Sequence, residues 1–135
     1  MYPDSLKNLI ESFQNFPGIG EKTAERMAFS VLGFDEEKFA MLEENLQAVK
    51  DNIHPCEICN TLTDKDKCSI CESTQRDKET ICVVEDSKIV FLFERLGTYK
   101  GLYHVINGLI SPLDDVNPED IGLDKLLDRI KNKKI

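Results

Sequence analysis

Four of the five cysteines occur at a spacing typical of a metal site. They form the pattern Cys56-x2-Cys59-x8-Cys68-x2-Cys71. Each Cys-x2-Cys turn directs two thiolates to one point, and a short hairpin can bring two such turns around a tetrahedral zinc ion. Four protein ligands leave no coordination position for water or substrate. We therefore predict a structural zinc site rather than a catalytic one.

Two further residues near this pattern have simpler interpretations. His54 is redundant if all four cysteines bind zinc, so we expect it at the surface or beside the site. Cys82 lies in the apolar run 81–84 and is interpreted as a small buried hydrophobe. Unlinked or disulfide-bonded thiols are the alternative. The odd number of cysteines and an N-terminus without an export signal favour metal binding.

A second candidate site is the turn at residues 17–20 together with the helix that follows it. Gly18 and Gly20 allow a tight turn and the close approach of a ligand to the backbone. The free amides that open the helix can bind a phosphate, and Lys22 and Arg26 stand one turn apart on it. A turn of this kind is also common as plain structure between helices. The segment alone therefore leaves both DNA binding and a structural role open.

The third candidate is an acidic pair, Glu85 and Asp86, at the end of an apolar strand. Metals and ligands commonly bind at this edge of a parallel sheet, which suggests a Mg²⁺ site. Phosphoryl-transfer sites need several converging carboxylates, however, and the nearest other acidic pair, at 114–115, lies in a loop that contains proline. Capping of the next helix by Asp86 or Ser87 is the favoured interpretation.

Apolar spacing predicts the elements that position these residues. The predicted helices span 3–15, 21–33, 35–53, 90–96 and 118–131, and the predicted strands span 81–84 and 102–106. The third helix has an apolar face made of Phe39, Leu42, Leu46 and Val49. The last helix offers Ile121, Leu123, Leu126, Leu127 and Ile130 for its buried side.

The β-α-β-α order after residue 80 predicts a parallel sheet, but two strands are fewer than such sheets normally have. We therefore expect an incomplete domain, with Ile135 where a third strand ought to begin. Residues 54–75 contain too few apolar side chains for a core of their own without a metal. The predicted division is 1–53, helical; 54–75, zinc-binding; and 76–135, partial α/β.

Charge and hydropathy limit the class of protein. A net charge of -8 and a pI near 4.8 argue against coating nucleic acid by bulk electrostatics, so any DNA contact must be local. The N-terminus has no basic leader followed by an apolar run, and no stretch of about 18 apolar residues occurs. We expect a cytoplasmic protein.

Taken together and in order, three segments resemble the RecR family over essentially the whole chain. They are PGIGEKTAERMAF, CEICNTLTDKDKCSIC and the run from ICVVEDSKIV to PEDIGLDKL, which includes the distinctive SPLD. The resemblance implies a multi-part α+β fold with an N-terminal helix-hairpin-helix, a four-cysteine zinc finger and a Toprim-like α/β domain with parallel strands. The Toprim-like part is expected to be incomplete, because the family continues beyond the position of Ile135.

The resemblance also implies a function in DNA repair and recombination. Members of the family act with RecO and RecF to load the strand-exchange recombinase onto single-stranded DNA, have no known catalytic activity, and assemble as dimers and ring-shaped tetramers that can encircle DNA. The resemblance assigns zinc to the four cysteines and DNA contact to Lys22 and Arg26 in the hairpin with Gly18 and Gly20. Glu85 falls where Toprim enzymes keep a catalytic acid and is a candidate partner contact.

Two other functions remain as alternatives. One is a Mg²⁺-dependent Toprim nuclease or primase fragment that uses Glu85. The other is a zinc-stabilised protein-interaction module in which the hairpin is idle. A ring that traps DNA topologically needs only a small basic lining in each subunit, which is a hypothesis that reconciles DNA binding with the acidity of the chain.

Overall fold

Three helices separated by short turns form the N-terminal part of the protein. Helix α1 spans Asp4–Gln14, α2 spans Glu21–Leu32 and α3 spans Glu36–Asn52. They are seen in a computed structural model that describes residues 1–108 and 112–133. The three helices predicted from apolar spacing are confirmed.

Small residues allow α1 and α2 to pack closely. Ala24 and Ala28 on α2 are completely buried and pack with Ile10 of α1. The turn between the two helices is tight, and Gly18 adopts a φ of +79°, which a side chain would make unfavourable. Ile19, from the same turn, packs against the buried cluster. The result is a helical hairpin in which most residues outside this contact are exposed or half-buried.

Helix α3 differs from its prediction in burial but not in position. Its expected apolar face is present, yet none of its residues is buried among the described residues. Phe39, Leu46 and Val49 are exposed, and Leu42 is half-buried. The spacing of apolar residues predicts which side of a helix can be buried, and it does not supply the surface that buries it.

A small hairpin follows, in which the short strands β1 (His54–Pro55) and β2 (Leu62–Thr63) pair antiparallel. A single helical turn, α4, spans Ser69–Glu72. This segment is joined to a two-stranded parallel sheet, in which β3 (Ile81–Val84) pairs with β4 (Leu102–Val105). The expected parallel pairing is confirmed, and β4 ends one residue earlier than predicted.

Helix α5 connects the two parallel strands and spans Ser87–Leu96, so it begins three residues before the predicted start at Val90. The cause is its cap: the Asp86 carboxylate accepts a hydrogen bond from the backbone N–H of Lys88 at 2.9 Å. This contact satisfies one of the amides left free in the first helical turn. The main core of the sheet consists of Val84, Val90, Tyr103 and Val105.

The helix predicted over 118–131 is divided in two. A 3₁₀ turn spans Pro118–Ile121, and α6 then spans Leu123–Lys133. Gly122, with a φ of +74°, separates them. The side chains of Asn117 and Asp120 form a capping box around the 3₁₀ turn, so the segment has its own start and end signals. Part of the predicted loop before it, Ser111, lies outside the described residues.

The buried side of the C-terminal segment also differs from its prediction. Ile121 and Leu126 are buried as expected, but Leu127 is exposed and Arg129 is buried. Leu126 and Arg129 are three positions apart and share a helical face, whereas Leu127 points about 100° away from Leu126. The Leu127 prediction was therefore wrong. Leu123 and Ile130 are half-buried.

The chain forms two compact units, Met1–Val49 and Lys50–Ile135. The helical hairpin and most of α3 belong to the first unit, and the small hairpin, the sheet and its helices belong to the second. Within residues 1–108 and 112–133, no helix combines the length and the apolar character needed to cross a lipid bilayer.

Candidate metal centre and nucleic-acid interface

The four cysteines of the predicted zinc site converge. Cys56 and Cys59 come from the turn after β1, Cys68 caps α4 and Cys71 lies within it. All four sulfurs lie within 4.8 Å of one another, with 3.9 Å between Cys56 and Cys71 and 3.6 Å between Cys59 and Cys68. A tetrahedral site with zinc–sulfur bonds near 2.3 Å has sulfurs about 3.8 Å apart. The sulfur geometry therefore fits a zinc ion.

Polar groups around the sulfurs favour negative charge on them. The backbone N–H of Cys68 donates to the Cys56 sulfur at 3.3 Å, and that of Cys71 donates to the Cys68 sulfur at 3.5 Å. The Thr61 hydroxyl lies 3.1 Å from the Cys59 sulfur. Hydrogen bonds of this kind orient metal ligands and stabilise thiolates. The surroundings therefore suit the deprotonated form that zinc requires.

Crowding separates the pKa values of the thiols. Hydrogen bonds from the Cys59 and Cys71 thiols lower the pKa of the Cys68 thiol. The hydrogen bond to Cys68, together with burial, raises the pKa of the Cys59 thiol. The pKa of Cys71 is also raised, first by its hydrogen bonds with Cys59 and Cys68. One negative charge is favourable in this cluster and several are not, unless a cation lies among them.

His54 lies at the surface, as expected, whereas Cys82 is less buried than expected. His54 is exposed on β1, and its Nδ1 lies 3.1 Å from its neighbour's carbonyl oxygen, that of Pro55. Cys82 is half-buried and packs against the sheet core. Neither belongs to the converging group, which consists of four cysteines, three of them buried. A site closed by four protein sulfurs can stabilise a fold and offers no position to a substrate.

The hairpin formed by β1 and β2 carries Cys56 and Cys59 and is called the cysteine hairpin below. Backbone hydrogen bonds join it to the parallel sheet. The N–H of Val105, at the end of β4, donates to the Cys59 carbonyl at 2.8 Å. In return, the Asn60 side-chain amide donates to the Val105 carbonyl at 3.0 Å. Asn60 has a φ of +67°, the left-handed conformation that asparagine tolerates better than most residues. The hairpin is therefore bonded to β4 at the carboxyl end of that strand.

Two side chains add to this attachment. The backbone N–H of Leu62 donates to the Ser87 hydroxyl at 3.1 Å, which joins β2 to the first turn of α5. The Lys125 ammonium group, from α6, donates to the Asn60 side-chain oxygen and approaches the Cys56 carbonyl at 3.5 Å. The cysteine hairpin thus contacts both α5 and α6 as well as the sheet. The contact with α6 also brings one positive charge close to a site that becomes anionic when thiolates bind zinc.

The acidic pair is divided between two roles. Asp86 caps α5, as favoured from the sequence. Glu85 is exposed and lines, with Asp86, Asn60 and Asn107, a cleft of about 290 Å³ beside the cysteine hairpin. Among residues 1–108 and 112–133, the cysteines are the one group of three or more potential metal-ligating side chains that converges. Glu85 and Asp86 are therefore not joined by a third such ligand in the described part.

The predicted DNA-binding residues of the helical hairpin, Gly18, Gly20, Lys22 and Arg26, are exposed at the surface. A Cβ atom built on Gly20 would meet no atom within 4 Å, so packing within the described chain does not require glycine there, and a ligand could approach the backbone closely. Gly20 is the N-cap of α2, whose first amides follow it. Lys22 and Arg26 are exposed on this helix, and neither has an ion-pair partner among the described residues.

Sequence reasoning missed a buried polar pair under α6. His104, on β4, is completely buried, and its Nδ1 accepts a hydrogen bond from the Arg129 guanidinium at 3.0 Å. Arg129 also donates to the Tyr103 carbonyl. Burial, followed by the positive charges of Arg129 and Lys125, lowers the pKa of His104 from 6.5 to about 4. The positions of Leu126 and Arg129 on one helical face were the one signal that could have revealed this pair.

Three family models match the chain in the order of its parts. The RecR helix-hairpin-helix model matches residues 6–50, the RecR four-cysteine zinc finger model matches 53–73, and the Toprim domain model matches 79–135. With the geometry described above, they define a mixed α+β protein that joins a helix-hairpin-helix and a four-cysteine zinc finger to a Toprim domain. The expected fold class is confirmed.

Two relatives identify the family. The proteins named recombination protein RecR from Staphylococcus aureus (strain Newman) and from Staphylococcus haemolyticus (strain JCSC1435) are each 46% identical to the chain over 134 residues. The alignments cover 99% of this chain and 68% of each relative. The chain belongs to the RecR family of recombination proteins, and the resemblance read from its motifs is confirmed.

The first prediction concerns removal of zinc. Chelation should release the turn that holds Cys59 and Asn60, so the hydrogen bonds to Val105 should open. Amide hydrogen exchange at Val105 and Leu62 should rise roughly fivefold, because each lost bond contributes about 1 kcal/mol. Amides of α2, in the other unit, serve as the internal control. Unchanged exchange at β4 after complete loss of zinc would show that the hairpin does not support the sheet.

The second prediction concerns pH. Between pH 6.5 and about 4 the unfolded chain protonates His104 and the folded protein does not, so stability should fall as the pH decreases through this window. His104→Gln should reduce that fall, and His54→Gln is the matched control. Urea unfolding at several pH values, with bound zinc measured in each sample, gives the comparison. Parallel stability curves for the His104 variant and the unaltered protein would contradict the assignment.

Proposed function

We propose that this protein is a DNA-binding recombination mediator that acts with RecO and RecF to load the strand-exchange recombinase onto single-stranded DNA. The observation that carries the proposal is the exposed hairpin surface, where Lys22 and Arg26 stand one turn apart on the helix that Gly20 opens. Two exposed cations beside free helix amides suit a pair of phosphates. Membership of a family of recombination proteins supports the same role.

The proposed role assigns each part of the chain a task. Cys56, Cys59, Cys68 and Cys71 hold zinc, which when bound supplies a cross-link and no reaction. Gly18, Gly20, Lys22 and Arg26 bind DNA without regard to sequence, since phosphate contacts carry no base information. The division into 1–53, 54–75 and 76–135 separates the DNA-binding, zinc-binding and Toprim parts. The protein is a binding protein rather than an enzyme, and it works in the cytoplasm.

Assembly explains how an acidic chain can hold DNA. With a net charge of -8, a single subunit attracts DNA weakly, because the phosphate backbone is itself strongly negative. We propose a homodimer or tetramer that surrounds the strand, in which each subunit contributes a few cations. The exposed apolar face of α3, with Leu46 and Val49, is consistent with burial against another copy.

The third prediction tests the DNA contact. The double variant Lys22→Ala/Arg26→Ala should weaken binding to all sequences alike and reduce the slope of log affinity against log salt by about 2. Fluorescence anisotropy over a salt series measures both. The control is Lys7→Ala/Lys38→Ala, which removes the same charge from exposed positions elsewhere in the unit. If both double variants bind DNA as the unaltered protein does, the hairpin is idle and the protein-interaction alternative replaces the proposal.

The cleft beside Glu85 is the proposed contact surface for RecO. The Glu85 carboxylate is exposed at the end of β3 and does not cap α5, because Asp86 performs that role. A charge in such a position steers and orients a partner. The zinc-supported hairpin forms one wall of this cleft through Asn60 and Leu62.

The fourth prediction follows from this surface. Glu85→Lys should weaken RecO binding about fivefold or more, because reversal of a contact charge costs at least about 1 kcal/mol. Glu79→Lys makes the same change at an exposed position outside the cleft. Titration of each variant with purified RecO, followed by light scattering, gives the affinities. Equal binding by the two variants would remove Glu85 from the interface.

A further inference from the structure

Two aromatic side chains lie at the surface of the N-terminal unit beside the proposed DNA contact. Phe29, on α2, is 49% exposed, and Tyr2, just before α1, is 38% exposed. Their rings meet edge to face, with centroids 6.1 Å apart and an interplanar angle of 67°. The core of this unit consists of other residues, namely Ile10, Ala24 and Ala28. The aromatic pair is therefore a surface feature and not part of that core.

Helical geometry places Phe29 on the same face as the two cations. It follows Arg26 by three positions and Lys22 by seven, and both spacings return to one side of a helix. With a rise of 1.5 Å per residue, the three side chains extend over about 10 Å along α2. A strand whose phosphates contact Lys22 and Arg26 can therefore bring a base to Phe29.

The charges near the ring suit a base better than a phosphate. A shallow hollow of about 460 Å³ is lined by Glu25, Arg26, Phe29 and Ser30. The Glu25 carboxylate lies one turn before Phe29 and repels a phosphate at this point, whereas the flat ring accepts any base. The Ser30 hydroxyl donates to the Arg26 carbonyl at 2.9 Å, so it is already engaged and does not read base edges. Stacking here would not depend on sequence.

We propose that Phe29, supported by Tyr2, is a stacking platform for an unpaired base of single-stranded DNA. Aromatic rings beside cations are the combination by which proteins hold single strands, since bases stack on the rings while the cations contact phosphates. In a duplex the bases are stacked on one another and cannot reach such a ring. The inference rests on the proposed function and deepens it, because it makes the single strand the preferred form of DNA at this surface.

The test compares three ligands of equal length: a thymidine strand, a strand of the same backbone with abasic sugars, and a duplex. Phe29→Leu keeps an apolar side chain but removes the ring, so it should weaken binding to the thymidine strand about 5- to 100-fold. Binding to the abasic strand and the duplex should not change. Phe29→Trp should retain binding, and Phe39→Leu, the same change at an exposed phenylalanine on α3, should have no effect.

A second readout reports stacking itself. A 2-aminopurine base within the strand should lose fluorescence on binding to the unaltered protein and keep it on binding to Phe29→Leu. Equal losses of affinity for the thymidine and abasic strands would overturn the proposal, as would unchanged binding of the thymidine strand. A lower native mass for Phe29→Leu by light scattering would also overturn it, because the ring would then belong to a contact between copies.

The same measurements separate this inference from the proposed function. Lys22→Ala/Arg26→Ala should weaken binding to all three ligands. If it does so while Phe29→Leu has no effect, DNA binding at the hairpin stands and the stacking platform is wrong. If Lys22→Ala/Arg26→Ala has no effect on any ligand, the phosphate contacts are wrong, and the stacking platform that rests on them falls with them.

Discussion

The convergence of four thiols in a segment with few apolar residues is the constraint on which the second unit depends. The buried cluster of this segment consists of Cys56, Cys59 and Cys68, with Cys71, Ile58 and Ile70 packed against it. A core this small does not stabilise a chain segment by burial alone, and a metal cross-link supplies what burial lacks. Because the cysteine hairpin forms hydrogen bonds with Val105 and with Ser87, a well-ordered thiol cluster also stabilises the end of β4 and the first turn of α5.

The first unit is stabilised differently. Two alanines let α1 and α2 approach closely, so this helical hairpin needs only a narrow strip of buried surface. The rest of α2 remains available to solvent, and its exposed residues include cations, acids and an aromatic ring on neighbouring turns. A surface that mixes charges in this way can discriminate between parts of a nucleotide, whereas a uniformly basic one attracts the phosphates alone.

Local chemistry decided what the sequence could predict. The cysteine spacing, the glycine turn and the Asp86 cap each depend on residues close together in the chain, and each was found. The burial of Arg129 was missed because it depends on the Tyr103 carbonyl and His104, on a distant strand. The break at Gly122 had visible signals, but continuous apolar spacing outweighed them. The exposed face of α3 could not be predicted, since apolar spacing does not indicate what surrounds a helix.

We expect the attachment of the cysteine hairpin to β4 to set an order of assembly during folding. Cys56 and Cys71 lie 15 positions apart, whereas Asn60 and Val105 lie 45 apart. The shorter loop loses less chain entropy when it closes, so the metal-bound hairpin should form first. It then presents the Cys59 carbonyl and the Asn60 amide as a template onto which the end of β4 aligns. The slow, non-local pairing of β3 with β4 would in this way be guided by the fast, local closure of the cysteine hairpin. The position at which Val105 bonds to the hairpin would then help to fix the register between β3 and β4.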